Sequence, residues 1–298
     1  MLIQLLKTMR PRQWTKNFMI FIPFAFTLRE YWRPFSPGMW TMLGQAVAGF
    51  ALFCIISGAI YLINDLADIE KDRLHPKKRF RPLASGAMSK TAAQTAIVVG
   101  LIVALPLSFA LDAWFGIVVL GYFAMNLAYS FCLKNIVIID VLTLAANYVL
   151  RVVAGAVAIH VPPSAWLYVC TLLLALFIGF AKRRHELVLL EGEAVNHRLI
   201  LKEYTPEVLD QMISVTTASF VMAYSLYTFS AKNLPENNAM MLTIPFALFV
   251  VFRLLYLVHV KGEGGSPEEM MVRDRWLFGA ILLWGASIVA ILYAFGRA

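Results

Sequence analysis

The chain has 298 residues, of which 60% are hydrophobic and 15% are charged, and its formal net charge is +8. Such a composition lies outside the range of soluble globular domains and predicts a membrane protein. Because no recognisable nucleic-acid-binding motif accompanies the basic charge, we expect no nucleic-acid partner; anionic lipid or an anionic substrate is favoured instead.

Nine apolar segments are each close to the length of about 20 residues that crosses a bilayer. They cover residues 12–28, 41–63, 91–111, 113–131, 136–158, 164–181, 211–230, 240–258 and 275–296. Pro23 interrupts the first of these segments. The pattern predicts an all-α, polytopic protein of about nine transmembrane helices. No separate soluble domain is visible, so residues 1–298 are predicted to form a single integral membrane domain.

Lysine and arginine are distributed unequally among the loops between these segments. With nine spans, one side of the membrane receives only Arg29, Arg33, Lys232 and Arg297, and most other basic residues share the side of the N-terminus. The positive-inside rule therefore predicts a multi-pass protein of the cell membrane, with its N-terminus and its long loops in the cytoplasm.

The first polar segment, RPRQWTKN, opens the chain's first apolar stretch. One interpretation is topological: the basic residues anchor the cytoplasmic side, and Trp14 lies at the interface. The other interpretation is functional, with Lys16 and Asn17 pointing into the helical bundle toward a phosphate. The sequence leaves both interpretations open.

The second apolar segment ends in the sequence NDLADIEKD, which contains three aspartates. If the helix continues, Asp65, Asp68 and Asp72 share one face, Tyr61 lies on the same stripe and Asn64 lies beside it. Close carboxylates repel one another unless cations lie among them, and Mg²⁺ bridging to phosphates is the usual solution. We therefore predict that Mg²⁺ lies among Asp65, Asp68 and Asp72, which are the candidate catalytic residues, with Asn64 beside them. A solvated acidic helix end is the alternative.

A basic sequence, HPKKRFRPLASG, follows the carboxylates at once, and its two prolines predict a turn. Carboxylates for a cation, followed by cations for phosphate, are the parts of a metal–polyphosphate site. Arg79 and Arg81 are predicted to bind phosphate oxygens in bidentate fashion, and Lys77 and Lys78 as point charges.

The fifth apolar segment carries a polar stripe formed by Asp140, Asn147 and Arg151, with Lys134 at its cytoplasmic entry. Ionisable groups inside an apolar span are costly and face a cavity or a partner. One interpretation is a structural Asp–Arg pair between helices. In the other, Arg151 holds an anionic substrate, Asp140 orients a neighbouring group, and Lys134 adds to the positive field.

The sixth apolar segment closes with KRRHE at residues 182–186. A basic helix C-terminus is favoured by the helix dipole and by topology, so simple anchoring is one interpretation. The other is a second phosphate site formed by Lys182, Arg183 and Arg184, with Glu186 binding a substrate hydroxyl or a metal.

The pattern Asn-Asp-x-x-Asp-x-x-x-Asp at residues 64–72 resembles the signature of the UbiA superfamily of membrane prenyltransferases, and the nine-helix count agrees. The resemblance implies Mg²⁺ and a diphosphate at this motif, with Asn64 and Asp68 on the metal and Asp65 and Asp72 in support. Those enzymes usually carry a second aspartate-rich motif after the sixth span. This chain has GFAKRRHELVLLEGE there, so a second site of that kind is not expected.

Four segments in order resemble the branch of this superfamily that transfers phosphoribose to decaprenyl phosphate: RPRQWTKN, NDLADIEKDRLHPKKRFRPLASG, DVLTLAANYVLRVVAGA and KRRHELVLLEGEAVNHRLILKEYT. The resemblance implies that a polyprenyl phosphate attacks phosphoribosyl diphosphate and releases diphosphate, in arabinan cell-wall precursor synthesis. It further implies two sets of ligands. The sugar phosphates would be held by Tyr61, Lys16, Lys77 and Lys78. The candidates for the lipid phosphate are Arg151, Lys134, Arg183 and Arg184.

Two other functions compete with this reading. An aromatic prenyltransferase would use a prenyl diphosphate donor, and an anion transporter or lipid flippase would line a path with its intramembrane charges. The basic residues 182–184 argue against the first, because an aromatic acceptor needs less positive charge. The metal-like cluster at one surface argues against the second. The oligomeric state does not follow from the sequence.

Overall fold

The computed structural model of the chain describes residues 2–76, 78–162, 164–189, 199–231, 234–265, 270 and 273–296. The fold is all-α, as predicted: within these ranges there is no β-strand, and Leu28 and Trp32 form an isolated bridge. Lys77, one of the predicted phosphate ligands, lies outside the described residues.

Eight helices in the described part of the chain are long and apolar enough to cross a membrane. They are α3 (Pro37–Ala67), α5 (Lys90–Leu111), α6 (Ala113–Phe131), α7 (Ile139–Ala158), α8 (Ala165–Leu189), α9 (Pro206–Ser230), α10 (Ile244–His259, preceded by the 3-10 turn Ala239–Thr243) and α11 (Arg275–Phe295). The shorter helices are α1 (Leu2–Met9), α2 (Ile22–Phe26) and α4 (Ile69–Leu74). Each of the eight long helices coincides with one predicted apolar segment.

The first predicted span, residues 12–28, is not one α-helix. A 3-10 helix occupies Pro11–Phe21, and α2 follows it. Arg10 adopts a left-handed conformation with φ of 55°, which separates α1 from the 3-10 helix. Pro23 is the second residue of α2, in the first helical turn, where its missing N–H removes no intrahelical hydrogen bond and its ring disfavours an α-helical turn before it.

Several of the long helices begin at side-chain caps that the sequence encodes. Ser89 accepts a hydrogen bond from the N–H of Ala92 at the start of α5, and Thr205 accepts one from Val208 at the start of α9. Asp274 caps α11 in the same way. These caps satisfy N–H groups that the first helical turn leaves without intrahelical partners.

The chain forms two compact units, and α7 contributes to both. Unit 1 contains Met1–Phe24, Thr41–Phe131 and Leu150–Pro162; unit 2 contains Ala25–Trp40, Cys132–Val149 and Pro163–Ala298. The prediction of a single membrane domain over residues 1–298 stays a prediction.

Unit 1 has an apolar core in which Phe53, Phe115 and Val119 are fully buried. A close backbone approach joins its 3-10 helix to the second half of α7. A Cβ atom at Gly155 would lie 2.1 Å from the carbonyl oxygen of Ile20, so this contact requires glycine.

Unit 2 has an apolar core in which Phe177, Leu209 and Leu277 are at most 1% exposed. Helix α8 packs against α9, and it also meets the first half of α7. A Cβ atom at Gly179 would lie 2.5 Å from Cγ1 of Val141, so a small residue sets the close approach of α7 and α8.

Candidate active site

The predicted carboxylate face lies where α3 gives way to α4 in unit 1. Asp68 interrupts the helix with φ of −101° and ψ of 9°, in the sparsely populated bridge region. The i to i−4 pattern nevertheless continues, because the N–H of Asp68 donates to the carbonyl of Asn64 and the N–H of Asp72 donates to that of Asp68. Asp65 and Asp72 are buried, and Asp68 is half-buried.

Two arginines neutralise the buried pair of carboxylates. Arg10 Nη2 lies 2.5 Å from Asp65 Oδ1. Arg81 Nη1 bridges the two aspartates, at 3.2 Å from Asp65 Oδ1 and 2.6 Å from Asp72 Oδ2. The guanidinium carbon of Arg10 also lies 4.8 Å from the ring centroid of Tyr61. Charge-assisted hydrogen bonds of this kind compensate for much of the cost of burying the carboxylates.

The remaining two predicted metal ligands have different surroundings. Asn64 Oδ1 accepts a hydrogen bond of 2.6 Å from Ser130 Oγ. The carboxylate of Asp68 makes no hydrogen bond or ion pair with any residue in the described ranges. These oxygen donors, one of them an available carboxylate, fit a hard divalent cation. Among the described residues, however, no three acidic, histidine or cysteine side chains converge on one point, and arginines pair with Asp65 and Asp72.

The basic sequence after the carboxylates forms a turn, as its prolines predict. Between α4 and α5 its one helical stretch among the described residues is the 3-10 turn Lys78–Phe80. Lys78 and Arg79 are exposed, and Arg79 lies over the ring of Phe80. Arg81 instead turns inward to Asp65 and Asp72, so it alone of these three meets the carboxylates.

Arg151 is the centre of a second polar cluster in unit 1. Its side chain is buried, with Nε donating to Asn17 Oδ1 at 2.8 Å and Nη2 donating to the hydroxyl of Tyr122 at 2.7 Å. Asn17 in turn donates to Ser57 Oγ at 3.4 Å. Asn17 thus points into the unit, and Lys16 beside it is half-buried; that the two residues face a phosphate stays a prediction.

In unit 2, Asp140 pairs with Arg183 across α7 and α8. Arg183 Nε lies 2.6 Å from Asp140 Oδ2, and Arg183 Nη1 lies 2.6 Å from Glu186 Oε2. The two partners of the central pair are 0% and 1% exposed. This agrees with the interpretation of an interhelical Asp–Arg pair. Arg183 and Glu186 as phosphate and substrate ligands stay predictions, which require these contacts to open.

Tyr204 closes the Asp140 cluster from the loop before α9. Its hydroxyl donates to Asp140 Oδ1 at 3.0 Å and accepts from the N–H of Ile138 at 2.7 Å. Ile138 has a φ of 67°, which is strained for a β-branched residue. Burial is the main cause that raises the pKa of Tyr204 to about 12, so the hydroxyl remains a donor throughout the physiological pH range.

The other predicted residues of unit 2 lie around the ends of α7 and α8. Arg184 pairs with Asp210 through both Nε and Nη2, and His259 Nε2 lies 3.1 Å from the same carboxylate. Lys134 lies on the 3-10 turn before α7, and Lys134 and Lys182 are half-buried. Asn147 is buried and donates to the carbonyl of Thr143.

Sequence reasoning missed several partners of the predicted residues. Arg10 opens the RPRQWTKN segment, so a signal for it existed. Tyr122 and Ser130 lie in an apolar helix, and Tyr204 follows the 3-10 helix Leu199–Glu203. Nothing in the local sequence distinguishes these hydroxyls from ordinary interhelical or surface groups. Their roles depend on residues 29, 66 and 64 positions away, respectively.

These observations define a polytopic helical membrane protein with a carboxylate cluster beside buried and exposed arginines. Residues 18–187 match the UbiA prenyltransferase family, and the chain belongs to this family. It is therefore a membrane transferase of the UbiA type.

Relatives with established names cover nearly the whole chain. The decaprenyl-phosphate phosphoribosyltransferase of Mycolicibacterium smegmatis is 32% identical over 97% of this chain and 92% of its own length. The protein of the same name from Mycobacterium tuberculosis is 33% identical over 97% of this chain and 94% of its own length. Both similarities extend through the two compact units.

Solved structures of the same fold are more distant in sequence. A UbiA homolog from Archaeoglobus fulgidus bound to GPP and Mg²⁺ superposes with a TM-score of 0.71, at 18% identity, over 97% of this chain and all of that chain. At this identity the similarity establishes the fold.

Proposed function

We propose that this protein transfers the 5-phosphoribosyl group of phosphoribosyl diphosphate to a polyprenyl phosphate such as decaprenyl phosphate, with release of diphosphate. The observation that carries the proposal is the similarity, over 97% of the chain, to proteins named decaprenyl-phosphate phosphoribosyltransferase. The combination of an acidic cluster with basic residues in unit 1 supports it, because two phosphorylated substrates must be held. The product would feed arabinan precursor synthesis for the cell wall.

The carboxylate cluster is proposed to hold Mg²⁺ through Asn64, Asp65, Asp68 and Asp72. A bound Mg²⁺ would neutralise the charge that develops on the leaving diphosphate. Asp68 is the ligand whose carboxylate is available in the described structure. Asp65 and Asp72 would become ligands on separation from their arginines.

Basic and hydroxyl groups around the cluster are proposed to hold the donor's phosphates. Tyr61 of α3 lies against Arg10, which pairs with Asp65. Lys16 lies on the 3-10 helix Pro11–Phe21, and Lys78 and Arg79 are exposed on the turn after α4. Arg81 belongs to the same turn, and Lys77, from the same basic sequence, is proposed to take part although it lies outside the described residues. Bidentate contacts from arginine and point charges from lysine would fix the position of the sugar.

Arg151 is proposed to hold the lipid phosphate. Its guanidinium is oriented by Asn17 and Tyr122, whose oxygens are neutral acceptors. A phosphate oxygen is already anionic near neutral pH, so the attack on the anomeric carbon needs no strong general base. Positioning and charge neutralisation would supply most of the rate acceleration. In unit 2, Lys134, Arg183 and Arg184 remain alternative candidates for the lipid phosphate, and Lys182 remains a candidate phosphate ligand.

The site is proposed to face the cytoplasm in the cell membrane. The eight long apolar helices are those of a multi-pass membrane protein. The uneven distribution of lysine and arginine supports an orientation with the N-terminus and the loop after α4 on the cytoplasmic side, where phosphoribosyl diphosphate is available.

The test is a transfer assay with purified protein in detergent. Mg²⁺, polyprenyl phosphate and phosphoribosyl diphosphate labelled in the ribose are mixed, and label in the lipid phase is measured, with EDTA as the control. Label should enter the lipid only with Mg²⁺. Absence of transfer, together with prenylation of an aromatic acid from a prenyl diphosphate, would identify an aromatic prenyltransferase. Passage of an unchanged anion into proteoliposomes would identify a transporter.

A further inference from the structure

Arg10 and Arg81 occupy the carboxylates to which the proposed function assigns a metal. We propose that these two guanidiniums are exchangeable counter-charges: they hold Asp65 and Asp72 before substrate binds, and they turn to the diphosphate when Mg²⁺ takes over the carboxylates. The inference rests on the proposed function only in requiring that the cluster bind Mg²⁺ and a diphosphate.

The exposure of the partners favours movement of the arginines and not of the aspartates. Asp65 and Asp72 have side chains that are 2% and 4% exposed, and both are fixed on helices. The side chains of Arg10 and Arg81 are 31% and 28% exposed. A partly exposed arginine side chain can leave without opening the core, whereas a buried carboxylate on a helix cannot follow it.

The backbone that carries each arginine lies outside the long helices. Arg10 is at the left-handed junction between α1 and the 3-10 helix, and Arg81 is in the turn between α4 and α5. Rotation of these two side chains therefore leaves the packing of the spanning helices unchanged. Both arginine side chains are long enough to reach either the carboxylates or the solvent beside them while the backbone stays in place.

Charge balance also favours the exchange. Two guanidiniums neutralise the two buried carboxylates, and one divalent cation neutralises them equally well. The buried site therefore never contains uncompensated charge, which would be strongly unfavourable. The displaced arginines would face the incoming polyanion, whose oxygens suit bidentate guanidinium contacts. Asp68 lies between Asp65 and Asp72 in sequence, and its unoccupied carboxylate offers the first ligand for the cation.

The proposal predicts opposite effects of one substitution on two ligands. Arg81→Gln removes the bridging competitor, so Mg²⁺ alone should bind about tenfold more tightly, the size expected for loss of a hydrogen bond to a charged group. Mg²⁺-dependent binding of inorganic diphosphate should weaken about tenfold for the same reason. Both are measured by isothermal titration calorimetry on the purified full chain, without polyprenyl phosphate.

Arg73→Gln is the matched control, because Arg73 lies on α4 and pairs with Glu70 at the surface. It should change neither affinity. A purely structural role for Arg81 predicts that the variant binds both ligands equally or less tightly than the wild type, and either result would overturn the proposal. If Arg81→Gln cannot be purified folded, Arg10→Gln provides the same test on Asp65.

The measurements separate this inference from the proposed function. If the opposite shifts are found but no phosphoribose reaches lipid, the reaction is wrong and the exchange stands. If the wild-type chain binds inorganic diphosphate without regard to Mg²⁺, the exchange is wrong, whatever the transfer assay gives.

Discussion

Asp65 on α3 and Asp72 on α4 are buried and pair with arginine, as does Asp140 at the start of α7, but the arginine partners differ in exposure. Around Asp65 and Asp72 the side chains of Arg10 and Arg81 are 31% and 28% exposed. The side chain of Arg183 is 1% exposed, and its partner Asp140 also accepts a hydrogen bond from Tyr204. An aspartate with a displaceable partner is suited to binding ligands, whereas one with an enclosed partner is suited to joining helices.

The largest effect expected from this comparison is on turnover. Asp68→Asn removes the available carboxylate of unit 1, so Mg²⁺-dependent phosphoribosyl transfer should fall by about 100-fold or more, while the melting temperature in detergent stays within about 2 °C. Glu70→Gln, an exposed neighbour on α4, is the control and should retain activity. Turnover close to the wild-type value in Asp68→Asn would show a solvated helix end instead of a metal site.

The second effect is on stability. Asp140→Asn leaves the enclosed Arg183 without its full counter-charge, so unfolding should become easier by about 3 kcal/mol, the usual cost of breaking a buried pair. Denaturant titration in mixed micelles measures this. Asp140→Leu combined with Arg183→Met should recover most of the loss. If Asp140→Asn unfolds like the wild type but transfers no phosphoribose, the assignment of the pair to structure is wrong.

The third expected effect would show that Arg151, like Asp65 and Asp72, binds a ligand. Arg151→Gln keeps a hydrogen-bond donor but loses the charge, so the KM for polyprenyl phosphate should rise about tenfold or more while that for phosphoribosyl diphosphate changes little. Arg253→Gln, an arginine of α10 that pairs with Asp274, is the control. Equal changes in both KM values would assign Arg151 to the structure of unit 1.

The smallest effect concerns Tyr204. Tyr204→Phe removes one hydrogen bond to Asp140 and one from Ile138, so the free energy of unfolding should fall by about 1–2 kcal/mol with activity retained. The folded-state pKa of about 12 lies above the ordinary value of 10, so stability is fully present below pH 10 and declines between pH 10 and 12. This decline should be smaller in Tyr204→Phe. An equal decline in both proteins would show that other groups cause it.

The spans were predictable because each is a long apolar run, which the bilayer requires and few other environments allow. The shared face of Asp65, Asp68 and Asp72 was predictable because helical periodicity is local. Their partners were not, because Arg10 and Arg81 lie 55 and 16 positions from Asp65 in sequence. The first span differed from prediction for a local reason: hydropathy counts apolar residues and does not distinguish the 3-10 helix Pro11–Phe21 from an α-helix.

The partner of Asp140 was unpredictable for the same reason. Its position on a polar stripe with Asn147 and Arg151 suggested a shared function, but helical periodicity does not determine which neighbouring helix each side chain contacts. Arg183 is 43 positions from Asp140, and Asn17 is 134 positions from Arg151. Tertiary packing, which no short pattern records, decided both pairings.

The contact of Gly155 with Ile20 has a consequence for Arg151. Three residues of a 3-10 helix rise about 6 Å, and four residues of an α-helix rise about 6 Å as well. Ile20 follows Asn17 by three residues, and Gly155 follows Arg151 by four, so the two contacts between the 3-10 helix and α7 share one register. A methyl group at position 155 would push the two backbones apart and draw Asn17 away from the guanidinium. Gly155, which has no side chain, thus determines the orientation of the buried Arg151 guanidinium one helical turn away.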